Sequence, residues 1–155
     1  MNHENKFKVI IAGSRGFTDY KYVKSKLDYM LQNIQDEIII ISGRCSTGSK
    51  TFVTSDGIEV FGADGLGELY AADNNYKVTP FPADWDDTYD KPRTEISFRN
   101  NRPYWTKAGL YRNGLMADEA DALICFVVNN SKGSLNMIKQ AKEKNLKVKV
   151  YNIEK

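Results

Sequence analysis

At 155 residues the chain is one domain's worth, and 41% hydrophobic against 27% charged residues is the make-up of a folded globular protein, which excludes a disordered chain. Its 22 basic and 20 acidic residues leave a formal net charge of +2, which gives no overall footprint for DNA or RNA and disfavours a nucleic-acid partner. No apolar run approaches the roughly 20 residues of a membrane span, and Met1 to Lys6 is polar, so the expectation is a cytoplasmic protein with no membrane partner.

Two isolated cysteines, Cys45 and Cys125, show no metal or redox spacing and read as reduced thiols. His3 is the only histidine and lies in the terminal stretch, which leaves a Cys-His or Ser-His pair without a base and a zinc site without ligands. No metal site is expected.

The first element is the apolar run Val9-Ile10-Ile11-Ala12, which suits a strand buried on both faces of a parallel sheet. It stops at Gly13-Ser14-Arg15-Gly16, followed by Phe17. Small residues there let backbone N–H groups approach an anion at a helix start, and Arg15 adds a planar fork suited to phosphate. The turn matches neither dinucleotide nor Walker spacing, and an ordinary strand-to-helix turn with a solvated arginine fits it as well. Thr18 and Asp19 are cap candidates for an amphipathic helix from Tyr20 to Asn33, with Val23, Leu27, Met30 and Leu31 inward.

Ile38 to Ile41 is a second buried strand, ending in Ser42-Gly43, and a parallel crossover joins it to the first. Thr51 to Phe61 reads as an inserted β-hairpin turning at Asp56-Gly57, a register that pairs Val53 with Val60 and Phe52 with Phe61. It is either a flap over a site, or an excursion or oligomer contact. Gly62-Ala63-Asp64-Gly65-Leu66-Gly67-Glu68 then opens a helix that Asp64 would cap and Asn74-Asn75 would end.

Tyr76 to Phe81 is a third strand. Beyond it, Trp85 between Asp84 and Asp86 could stack on a base beside ribose-binding carboxylates, or serve as a rim residue. Asp87 to Thr106, rich in charge, Asn and Pro, reads as irregular. A helix from Ala108 to about Ala120 carries Arg112 near its start, and Ala122 to Val128 is a fourth buried strand. Asn129 to Ser134 is another small-residue turn before a helix, Leu135 to Lys144, with Leu135, Ile138 and Ala141 inward. Leu146, Val148 and Val150 alternate with lysines as an edge strand. Four strand ends, at Gly13, Gly43, Pro82 and Asn129, thus open into small or charged loops, which in an open parallel sheet line the ligand crevice.

Ala12-Gly13-Ser14-Arg15 with Phe17, Ser42-Gly43, Gly62 to Glu68, Ala83-Asp84-Trp85, Ala108-Gly109, Arg112-Asn113, Met116, Ala120-Asp121-Ala122 and Ser131-Lys132-Gly133-Ser134 occur in one order. Together they resemble the YspA-like (YpsA-related) branch of the SLOG superfamily, Rossmann-like proteins related to DprA and to the LOG cytokinin-activating enzymes. The resemblance implies a single α/β Rossmann-like domain over 1–155, mostly parallel sheet flanked by helices, with insertions at 44–61 and 86–107. It also implies a nucleotide or nucleotide-derived ligand with no further cofactor, a role in bacterial or phage conflict, and a homo-oligomer.

Carried onto this chain, the ligand contacts are Gly13, Ser14, Arg15, Gly16, Phe17, Gly43, Gly62, Ala63, Asp64, Trp85, Arg112, Asn113, Ser131, Lys132, Gly133 and Ser134. LOG enzymes cleave the N-glycosidic bond of nucleoside monophosphates with an arginine and a glutamate. Arg112 matches the arginine, but Met137 stands where the glutamate would be. Methionine neither stabilises an oxocarbenium-like state nor activates water. The leading expectation is therefore a binding module. The alternative is a nucleoside-phosphate N-glycosidase using Arg112 with Asp64, Glu68 or Asp84 as the acid; a third is a protein-interaction module built on the hairpin.

Overall fold

The structure is a computed structural model that describes residues 5–153; His3 lies outside the described residues. Five parallel strands form the central sheet: β1 (Lys6–Gly13), β2 (Glu37–Ser42), β5 (Lys77–Pro80), β8 (Ala122–Val128) and β9 (Lys147–Ile153). Their order across the sheet is β5-β2-β1-β8-β9. The two excursions supply the antiparallel pairs β3 (Lys50–Val53) with β4 (Glu59–Phe61), and β6 (Ile96–Arg99) with β7 (Arg102–Trp105). With these set aside the sheet has the doubly wound order of a Rossmann-like fold, reversing direction between β1 and β8.

Successive residues of β1 point to opposite faces, and both faces are apolar, so the sheet is covered on both sides. Val9 and Ile11 pack with Val23 and Leu27 of α1 (Tyr20–Leu31) and with Leu66 and Tyr70 of α2 (Gly62–Asp73). Ile10 and Ala12 pack with Met116 and Ala117 of α3 (Ala108–Glu119) and with Met137 and Ile138 of α4 (Lys132–Glu143). Met137 is thus a core residue. Asp19 caps α1 through the Tyr22 amide, and Asn75, with φ of 57°, follows α2 in the left-handed conformation. Among the described residues, no helix is long and apolar enough to cross a membrane.

Four local expectations are corrected. The first hairpin pairs Phe52 with Val60 and Val53 with Glu59, one residue out from the expected register. Its loop is three residues long: the Thr54 amide donates to the Ile58 carbonyl across Ser55-Asp56-Gly57, with Gly57 at φ 88°. The second insertion is not irregular but a hairpin with Ile96 opposite Trp105 and a two-residue turn at Asn100-Asn101, both left-handed. Asp64 does not cap α2: it is the third helical residue, and its side chain turns inward. Leu135 is 46% exposed, because α4 begins three residues earlier than its apolar spacing suggests and turns Ser134, Met137 and Ile138 to the sheet.

The first insertion is bolted down rather than hinged. The Thr51 hydroxyl donates to the Gly62 carbonyl at 2.8 Å, the Phe61 amide to Cys45, and the Ser49 amide to Arg15. Both insertions leave from the carboxyl ends of sheet strands, β2 and β5, as expected.

Candidate functional site

The reversal point of the sheet brings the turns after β1 and β8 side by side. The Ser14 hydroxyl donates to the Val128 carbonyl at 3.3 Å and accepts from the Val128 amide at 2.8 Å. A Cβ on Gly13 would run into the Phe126 carbonyl and come within 2.9 Å of the Ala63 methyl, so glycine here lets β1, β8 and α2 meet. Gly62, at φ 61°, sits against the backbone of Arg15, and a Cβ on Gly67 would lie only 2.7 Å from Ile11. Most of the motif's glycines therefore serve close packing of helix on sheet. Gly16 and Gly133 are different, with open space where a Cβ would be.

Four helices start near this edge, and their N–H groups fare differently: α3, with its first turn beside Arg112, has no side-chain cap, and among the described residues nothing accepts from its Ala108, Gly109 or Leu110 amides. The start of α1 is closed by the Asp19 carboxylate. That of α2 is closed by carbonyls: Gly62 donates to Ser49 and Ala63 to Ser14. The start of α4 is open, since Ser131 makes no side-chain cap and, among the described residues, nothing accepts from the Lys132, Gly133 or Ser134 amides. Of α1, α2 and α4, the helix start whose amides are left without acceptors is thus that of α4.

Arg112 joins the other two strand ends to this one. Its Nη1 donates to the carbonyl of Gly43, after β2, and at 3.4 Å to that of Phe81, after β5. Its Nε donates at 3.0 Å to Asn113 Oδ1, and the Asn113 amide donates in turn to Asn136 Oδ1 and the Gly133 carbonyl. A chain of hydrogen bonds thus runs from Gly43 through Arg112 and Asn113 to the open start of α4. Trp85 covers Gly109 at the first turn of α3, beside this arginine.

Asp64 faces the same place from α2. Its Oδ2 accepts the Cys45 amide at 3.0 Å, and both it and Arg112 flank Gly43. Burial pushes the Asp64 carboxyl from 3.8 up to about 6, the Arg112 charge only partly opposing this. Burial also raises the Cys45 thiol, whose Sγ donates to the Thr47 carbonyl, so Cys45 is not an activated nucleophile.

Several expected site residues lie elsewhere or are engaged. Phe17 is a core residue stacked on Phe126, with ring centroids 6.0 Å apart. Gly62 and Ala63 are buried beneath the β1 turn. Glu68 is buried and held by the Arg44 fork at 3.1 and 3.2 Å, with the Ser42 hydroxyl at 2.7 Å, so it is not a free base. Asp84 is exposed, in a loop turn in which its carbonyl accepts the Asp87 amide. Arg15 is exposed and donates to Thr47 Oγ1 at 3.1 Å; Lys132 is exposed at the start of α4.

Sequence reasoning missed Arg44, Cys45, Thr47 and Asn136. Only Arg44 had a local sign, as the residue directly after the small-residue strand end; it adopts φ 50° and so turns its guanidinium onto Glu68. Two cavities lie away from the crevice: one of about 260 Å³ over the Arg44–Glu68 pair, and one of about 330 Å³ around Asp36 and Asn75 at the opposite edge.

No family model matches the sequence, and no curated protein does either. Among solved structures, the chain is similar to that of DNA processing protein A (DprA) from Streptococcus pneumoniae, with 18% identity and a TM-score of 0.59. The match covers 96% of this chain and 50% of that one, so the chain spans about half the length of that protein. At this identity the likeness carries the fold alone, and that fold is the Rossmann-like one expected from the motifs.

Proposed function

We propose that the chain is a SLOG-type module of the YspA-like kind that binds a nucleotide or nucleotide-derived ligand at the carboxyl edge of its sheet. The observation that carries this reading is the open start of α4, set beside the β1 turn at the reversal point, with Lys132 and Arg15 exposed around it. The free amides and Gly133 would take phosphate. Trp85 and Arg112, reached through Asn113, would face the base or ribose.

Thermal unfolding with a panel of AMP, ADP-ribose, NAD and cyclic nucleotides tests this. At least one ligand should raise the melting temperature, and Lys132→Ala should reduce that rise; a flat panel would contradict the reading.

A second reading, a nucleoside-phosphate hydrolase, is favoured by one observation: Asp64, held near neutrality beside Arg112, is the carboxyl group suited to proton transfer in this crevice. Under this reading, mass spectrometry after prolonged incubation detects free base, and Asp64→Asn abolishes its release.

A further inference from the structure

The cavity over the Arg44–Glu68 pair is walled by three parts of the chain and plays no part in the crevice. Glu68 and Ala72 come from successive turns of α2, Phe52, Thr54 and Ser55 from the first hairpin, and Tyr76 and Val78 from the stretch entering β5. The hydrogen bonds that fix the insertion to Gly62, Cys45 and Arg15 hold these walls in place, so a ligand meets the cavity already formed. At about 260 Å³ it lies below the range of drug-sized pockets and, filled at the density of a protein interior, takes a molecule of about ten non-hydrogen atoms.

Its floor sets a donor beside an acceptor. Arg44 spends Nε and Nη2 on the Glu68 carboxylate at 3.1 and 3.2 Å, and its Nη1 is left with no hydrogen-bond partner among the described residues without being sealed from solvent. Glu68 Oε2 takes both Ser42 and Arg44, whereas Oε1 accepts from Arg44 alone. The two charges cancel. Asp56, at the hairpin turn, feels the Arg44 charge but is exposed and already accepts from Thr54 Oγ1; it weighs against an anionic ligand, as the outer N–H groups of the guanidinium weigh against a cationic one. Around this polar edge Phe52 and Tyr76 supply rings, and Ala72 and Val78 aliphatic surface.

We infer that this cavity binds a small neutral aromatic amide or lactam. The ligand's carbonyl accepts from Arg44 Nη1, its adjacent N–H donates to Glu68 Oε1, and its ring lies among Phe52, Tyr76 and Val78. Apolar residues of similar volume would hold α2 to the end of β2 as well as a buried ion pair does. An ion pair beneath an open cavity adds a polar edge of net zero charge, and the complement of that edge is a neutral group with acceptor and donor side by side. The site is separate from the crevice and does not depend on a nucleotide binding there.

Four probes of equal size test the inference when amide chemical shifts of the full chain are followed by NMR: benzamide, acetophenone, benzoate and benzamidine. Benzamide offers acceptor and donor together, acetophenone the acceptor alone, benzoate an anion and benzamidine a cation. Benzamide should give saturable shifts centred on Phe52 to Ser55 and Tyr76 to Val78, with a dissociation constant of about 1 mM or tighter, as befits so small a ligand. The other three should bind at least about fivefold more weakly, the scale of one or two lost hydrogen bonds. Nicotinamide and hypoxanthine then show whether a free carboxamide or a lactam ring is preferred. Ala72→Leu, which fills the cavity without touching the charges, should abolish benzamide binding while the protein stays folded by its melting curve. Arg44→Met with Glu68→Met, which removes both charges together, should erase the preference for benzamide over acetophenone. Lys132→Ala, at the crevice, should change nothing here. Absence of saturable shifts, shifts centred elsewhere, equal binding of the four probes, or binding that survives Ala72→Leu would overturn the inference.

Discussion

Asp64 is a carboxyl group taken out of water, and its cost depends on pH in a way that can be signed. Folding raises its pKa from 3.8 to about 6, so between these values the folded state holds a proton that the unfolded chain has released. Stability therefore falls as pH rises from about 4 to about 6, by about 3 kcal/mol when the whole shift is counted. Asp64→Asn still accepts from the Cys45 amide but does not ionise. Chemical denaturation across this range should show the decline in the parent and a flatter profile in the variant.

Arg112 is the cation that limits this shift, and it also satisfies the Gly43 and Phe81 carbonyls. Arg112→Met should cost about 1–3 kcal/mol from the buried acceptors it leaves. Carboxyl titration by NMR should then place Asp64 still higher than in the parent. Reading such roles from sequence works only where residue type limits the options. Phe17 sat in an apparent ligand loop, yet an apolar ring next to a strand end is drawn into the core; Glu68 looked like a candidate base until Arg44, with no periodic signal, proved to occupy it.

Among the elements, the glycines divide into two classes with opposite predictions. Gly67→Ala adds a methyl 2.7 Å from Ile11 and should destabilise by about 1–3 kcal/mol despite alanine's better helix propensity. Gly133→Ala meets nothing, stands in the first turn of α4, and should leave unfolding free energy within about 1 kcal/mol of the parent. Urea unfolding of the two variants compares them directly.

The buried strands were legible because Ile38 to Ile41 and Ala122 to Val128 are apolar on both faces, a pattern that surface elements do not produce. The β6–β7 hairpin was not. One of its faces carries arginines, Pro103 interrupts the second strand, and its turn uses asparagines rather than glycine. The register of the first hairpin was missed by one residue because Asp-Gly can end a three-residue loop as readily as fill a two-residue one.

At the scale of the whole molecule, strand order is what turns scattered loops into a site. The sequence shows small-residue turns after four strands, and only the order β5-β2-β1-β8-β9 sets the first beside the last. Which helix start stays open could not be read in advance, because it depends on where the Asp19 side chain and the Ser14 and Ser49 carbonyls fall. Amide chemical shifts, followed by NMR as ADP-ribose or the panel's best ligand is added, test the central claim most directly. Saturable changes should centre on Gly16 and on Lys132, Gly133 and Ser134. A ligand that shifts only the Arg44–Phe52 cavity, or leaves the α4 amides unmoved at saturation, would contradict it.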